Sequence, residues 1–113
     1  MKRKVCYEGY IVVSDWEEQI FQALTHPIRR CIISYLHEKT FGSFTDLLKC
    51  VSIRDNGLLG YHLRSMGELM GYYRSAKKYY LTGVGQVAAE LILEIRARMI
   101  EPIHTIELPV EVK

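Results

Sequence analysis

No apolar run in this 113-residue chain approaches the roughly 18 residues that cross a bilayer, so the sequence predicts no membrane-spanning helix and no membrane partner. Met1-Lys2-Arg3-Lys4 is basic, but Glu8 and Gly9 interrupt the next stretch and no signal-peptide apolar core forms. Cysteine is scarce: Cys6, Cys31 and Cys50 make an odd count with no close pair in sequence. That spacing excludes a disulfide scaffold and predicts reduced thiols in a cytoplasm. Net charge is only +2, so whole-molecule attraction to a polyanion is weak and any such attraction must come from local clustering. Internal repeats, low-complexity tracts and interdomain linkers are missing. With 49% hydrophobic residues the chain reads as one domain. A chain of this size buries about 65% of its unfolded surface. The core is expected over about 15–100, flanked by extensions 1–14 and 101–113.

Signs of catalysis are equally thin. Gly83-Val84-Gly85-Gln86-Val87-Ala88 matches G-x-G-x-x-A between a strand and a helix, but a dinucleotide site needs a further parallel strand and too little chain remains. His26, His37, His62 and His104 lie far apart, and a zinc site using Cys31 finds no ligand spacing to support it. No nucleophile–base pairing is recognisable. The expectation is a non-enzyme with no metal and no cofactor.

What is present concentrates between Ile53 and Gly85. At about 100° per residue, Leu59, Leu63 and Met66 share one sector, with His62 at its margin. Gly57, Tyr61, Arg64 and Glu68 fall on the opposite side, flanked by Gly60 and Ser65. The first set can pack on a core while the second faces outward, and Asp55 or Asn56 is placed to cap the helix. An ordinary amphipathic surface helix has the same periodicity. Next come two aromatic, strand-favouring runs, Tyr72-Tyr73-Arg74 and Lys78-Tyr79-Tyr80-Leu81, joined by Ser75-Ala76-Lys77. From Arg54 to Lys78 the bases are Arg54, Arg64, Arg74, Lys77 and Lys78 against the acids Asp55 and Glu68, a net +3. Positive charge therefore gathers where phosphates would be met, although a solvated face can carry such a run too.

Three motifs add to this. Ala23-Leu24-Thr25-His26-Pro27-Ile28-Arg29-Arg30 resembles the "AL-(S/T)-HP-x-R" opening of ArsR-like winged-helix transcriptional regulators, especially archaeal ones. Leu59-Gly60-Tyr61-His62-Leu63-Arg64 resembles their "LSYHLR" recognition helix, and Tyr80-Leu81-Thr82 with Gly85 resembles the "Y-x-LT-x-x-G" that closes their wing. The three occur in family order over about Phe21 to Leu93. The resemblance implies sequence-specific binding of double-stranded DNA as a homodimer, with a recognition helix over about 56–67 and a wing over about 72–82. Carried onto matching positions, Tyr61 and Arg64 lie in the major groove, flanked by Asn56 and Ser65. Arg54, Arg74, Lys77 and Lys78 then meet the backbone or the minor groove. Two positions depart from the pattern: Gly57 and Gly60 stand where the family generally has Ser or Thr, so base readout is poorly furnished. The paired cysteines of metal-sensing members are missing from this helix. A winged helix used for protein contacts without sequence-specific DNA binding is the alternative.

The remaining chain reads as scaffold, giving a mainly α fold with a small β-hairpin and strand-like ends. A first helix runs from Ser14 or Asp15 to Leu24, with Trp16, Ile20 and Ala23 on one face. Thr25 is expected to cap a second helix whose inner stripe is Ile28, Cys31, Ile32 and Tyr35, with Arg29 and Arg30 pointing elsewhere. Ser43 is expected to cap a third helix with Phe44, Leu47, Leu48 and Val51 inward. The last helix, about Val84 to Ile100, carries two apolar stripes. Val84, Ala88, Leu91 and Ile95 are assigned to the core. Ala89, Leu93, Ala97 and Ile100 are assigned to a dimer interface. Alternation at Val5, Tyr7, Ile11 and Val13, and at Ile106, Leu108, Val110 and Val112, suggests a strand at each end.

Overall fold

The structure, a computed structural model, describes residues 15–100, except for the side chain of Ile100. The expected terminal strands lie outside the described residues. Helix α1 (Asp15–Leu24) opens on Asp15, Glu17 and Glu18, whose charge complements the positive helix end. Ala23 is buried and Ile20 half-buried on the core, but Trp16 turns outward at 48% exposure. Thr25 does not cap the next helix. Its hydroxyl donates to the Gln22 carbonyl at 2.7 Å and closes α1, leaving His26 as the N-cap of α2 (Pro27–Lys39) without a side-chain bond. Pro27 in the first turn sacrifices an amide that has no helical partner. The inner surface of α2 is Arg29, Ile32, Ile33 and Leu36. It is wider than the expected stripe and rotated from it, because α2 packs on α1, α3, α4, α5 and β2 together. Ile28 and Tyr35 pack from its edges.

Helix α3 (Phe44–Val51) starts with a reciprocal capping box. The Ser43 hydroxyl accepts from the Asp46 amide, and the Asp46 carboxylate accepts from the Ser43 amide, both at 3.0 Å. These bonds hold the Asp46 carboxyl below the usual carboxylate range. Ser52 in the left-handed region (φ 57°) ends α3, and the turn leads to α4 (Asn56–Ser65), capped by Asp55 accepting from the Leu58 amide at 3.2 Å. Leu59, His62 and Met66 are buried and Leu63 packs beside them, as their spacing predicts. A 3-10 turn (Gly67–Leu69), absent from the sequence expectation, then buries Leu69.

Strands β1 (Met70–Tyr73) and β2 (Lys78–Leu81) form an antiparallel hairpin that begins two residues earlier than expected, with Tyr72 opposite Tyr79 and Tyr73 opposite Lys78. Their rings at 72 and 79 lie 4.7 Å apart, a cross-strand pair that stiffens the ribbon. Gly42 and Tyr79 exchange two backbone bonds, at 3.1 and 2.7 Å, tying the hairpin to the loop before α3.

Helix α5 (Gly83–Ile100) is anchored by Thr82, whose hydroxyl accepts from the Gly85 amide at 3.2 Å and donates to the Glu68 carbonyl at 2.6 Å. Gly85 is required by close approach, since a Cβ there would overlap the Leu69 carbonyl oxygen. That approach accounts for the second glycine of the G-x-G-x-x-A match as helix packing. The two stripes of α5 are reassigned. Ala88, Ala89 and Ile92 face the core, so Ala89 (1% exposed) is no interface residue. Leu91 and Ile95, expected inside, are exposed with Val87. Leu93 and Ala97 are exposed as expected. Two opposed apolar stripes have equal weight on a helical projection. Here the small side chains of Ala88 and Ala89 decide, because they let α5 lie close against its neighbours.

Candidate nucleic-acid interface

The outward face of α4 carries Asn56, Tyr61, Arg64 and Ser65, all exposed, and Arg54 is exposed in the turn before it. The two departing glycines are filled spaces. A Cβ at Gly60 would stand 3.3 Å from Nη1 of Arg64, so the guanidinium lies back over that position. A Cβ at Gly57 would stand 3.2 Å from Oδ1 of Asp55, the cap carboxylate. Their cost in helix stability is about 1 kcal/mol each relative to Ala. Both neighbours are side-chain ends, which a Cβ would shift by a few tenths of an ångström.

Beneath α4 lies a polar pair that corrects the expected direction of Arg29. Its side chain is only 4% exposed, and Nε donates to Nδ1 of His62 at 2.9 Å. Arg30 instead donates to the Leu24 carbonyl at the surface end of α1. Because an arginine has only donors, His62 must accept at Nδ1 and is neutral. Burial, and then the charges of Arg29 and His26, lower its pKa from the ordinary 6.5. The Arg29 guanidinium carbon also lies 5.7 Å from the Tyr61 ring centroid, within cation–π range, and the Tyr61 and His62 rings meet edge-on at 5.2 Å. Tyr61 is half-exposed at 51% but supported from below by a buried cation. Nothing in the periodicity of α2 flags Arg29. The signal available was the His-Pro-x-Arg spacing itself, which sets two side chains beneath the α4 histidine.

Beside this pair, α1 and α4 enclose an open polar cleft of about 460 Å³, lined by Asp15, Glu18, Gln22, Arg29, Tyr61 and Ser65. Tyr61 and Ser65 therefore share their surroundings with carboxylates, whereas Arg64 does not line this cleft. On the hairpin, Arg74 and Lys77 occupy the turn, closed by the Lys77 amide donating to the Arg74 carbonyl at 3.2 Å, and Lys77 takes a left-handed backbone (φ 56°). Lys78 is exposed at the start of β2, and its charge, with that of Lys49, adds to the lowering at Asp46.

A second surface differs from the expected dimer interface, since none of Ala89, Leu93 and Ala97 lines it. Trp16, Ile20 and Phe21 of α1 and Val84, Val87 and Leu91 of α5 line an open apolar groove of about 560 Å³. Phe21 is 56% exposed and Ile95 continues the apolar line along α5 at 56%.

A family model described as a domain of unknown function, DUF7347, matches residues 17–92. The chain belongs to that family. No curated protein and no solved structure matches it. The DUF7347 match spans Glu17 in α1 to Ile92 in α5, so Arg29, His62 and every candidate from Arg54 to Lys78 lie within it. Leu93, Ala97 and Ile100 lie beyond it.

Proposed function

We propose that this DUF7347 domain is a winged-helix DNA-binding transcriptional regulator of the ArsR-like kind, acting in the cytoplasm as a homodimer. The observation that carries the reading is the hairpin tip, where Arg74, Lys77 and Lys78 are exposed on a ribbon with no acid between them. Such a tip meets phosphates, while α4, which precedes the hairpin across the 3-10 turn, has a width that fits the B-DNA major groove. Arg64 supplies the donor fork suited to a guanine edge, and Arg29 holds Tyr61 so that little side-chain freedom is lost on binding. Exposed Phe21, Val87, Leu91 and Ile95 support dimerisation, since burying such a side chain stabilises by about 1.5–3 kcal/mol. Two copies would present two α4 helices to half-sites one helical turn apart.

Duplexes selected from a random pool, followed by fluorescence anisotropy at low salt, test this. Replacement Arg64→Ala should weaken the selected duplex by about 10-fold or more, the worth of one bidentate base contact, and weaken random duplex much less. Equal loss on both would assign Arg64 to the backbone. A protein-interaction module is the second reading, favoured by the carboxylates of Asp15 and Glu18 beside Tyr61 and Ser65, which oppose phosphate there. It predicts no duplex binding even at low salt.

A further inference from the structure

Cys31 and Cys50 lie 19 positions apart and read in sequence as unrelated thiols, but α2 and α3 bring their Sγ atoms to 3.3 Å. The contact is reciprocal. Cys31 Sγ lies 3.6 Å from the Cys50 carbonyl oxygen, and Cys50 Sγ lies 3.7 Å from the Cys31 carbonyl oxygen. Both residues are half-buried, so the pair is sheltered yet within reach of a small reagent. A disulfide requires sulfurs about 2.05 Å apart, so the two need approach by little more than 1 Å. Among the described residues, no third His, Cys, Asp or Glu joins them in a metal-holding group. Helices α2 and α3 pack directly on each other, so the pair is set by the fold.

We propose that Cys31 and Cys50 form a reversible dithiol–disulfide couple, closed by small-molecule disulfides, that locks α3 onto α2. The step balances by thiol–disulfide exchange. Cys31 gives up its proton to solvent as its sulfur attacks one sulfur of the reagent, forming a mixed disulfide and expelling one small thiolate, which takes up a proton. The Cys50 sulfur then attacks the Cys31 sulfur, giving up its proton to solvent and expelling the second small thiolate, which takes up a proton in turn. Two protein thiols are oxidised and one small disulfide is reduced to two thiols. Burial and the adjacent Cys31 thiol push the Cys50 pKa up to about 12, so Cys50 keeps its proton at the start and the first attack falls to Cys31. The consequence is local and firm. The helix from which the turn and α4 extend becomes covalently fixed to the centre of the fold, whether or not the domain binds DNA.

The test uses the full chain carrying Cys6→Ser, equilibrated natively with oxidised glutathione and examined by mass spectrometry and thermal melting. The expected product is one intrachain disulfide, seen as loss of two hydrogens and of both titratable thiols, reversed by dithiothreitol. It should melt about 5–15 °C higher than the reduced form, through the closed loop. With Cys50→Ala added, Cys31 should stop as a stable glutathione adduct. With Cys31→Ala added, Cys50 should react far more slowly. Two intact thiols, separate adducts on both cysteines of the parent, or a disulfide that lowers the melting temperature would each overturn the proposal.

Discussion

Arg29 and His62 together show how a polar contact can be both hidden and decisive. An arginine buried to 4% exposure must place its donors inside the protein, and here one goes to an unprotonated imidazole nitrogen. Protonating His62 would remove that acceptor and set two cations against each other in a poorly solvated site. This fixes the sign of the pH effect. Burial depresses the folded pKa of His62 below 6.5, so the unfolded chain takes up a proton first as pH falls. The stability tied to this group is whole above about pH 6.5 and declines below it. Thermal melts between pH 7.5 and 5 should therefore fall more steeply for wild type than for His62→Asn, whose amide oxygen still accepts from Arg29. Parallel curves would remove His62 as the source. The burial of His62 was legible, because it sits beside Leu59 and Met66 on a helical projection. The burial of Arg29 was not, because a long cationic side chain reads as surface in any pattern of hydrophobicity.

Helix α4 and the hairpin make up the face proposed for DNA, and their outlines were readable to differing depth. Asp55 as cap and the inward set of α4 come directly from residue type and spacing. The Ser43–Asp46 box was visible only as its Ser43 half. The 3-10 turn of Gly67–Leu69 escaped because three residues are too few to establish a period. The bridge between Gly42 and Tyr79 escaped because backbone bonding between distant segments leaves no local signature. Hairpin geometry is sharper in the structure than in the sequence, and it separates charge from conformation at Lys77. With φ at 56°, Lys77 carries the left-handed penalty that glycine avoids. Replacement Lys77→Gly should leave stability unchanged or raise it by up to about 1 kcal/mol in urea unfolding, while weakening DNA binding. A clear loss of stability would show that the Lys77 side chain supports the turn, and its effect on DNA would then not be one of charge alone.

For the whole molecule, sequence periodicity located two apolar faces on α5 but reversed their assignment in part. The face that turns inward is the one where Ala88 and Ala89 let α5 approach α2, α1 and the 3-10 turn closely, a difference in side-chain size that apolar periodicity does not weigh. The resulting exposed line, Phe21 with Val87, Leu91 and Ile95, predicts a concentration-dependent dimer that Leu91→Glu dissociates in sedimentation velocity and Leu93→Glu leaves intact. Dissociation by Leu93→Glu alone would restore the interface that periodicity assigns to Leu93 and Ala97. The DNA recognition proposed for this domain depends above all on the basic hairpin touching phosphate. Anisotropy titrations of a labelled duplex across a series of salt concentrations measure this most directly, comparing wild type with Arg74→Ala, Lys77→Ala and Lys78→Ala combined. The slope of log affinity against log salt should become shallower by about 2 to 3 for each wing engaged, at roughly 0.9 for every phosphate no longer neutralised. An unchanged slope in a folded variant, or no binding by wild type at the lowest salt, would contradict a DNA-binding role for the wing.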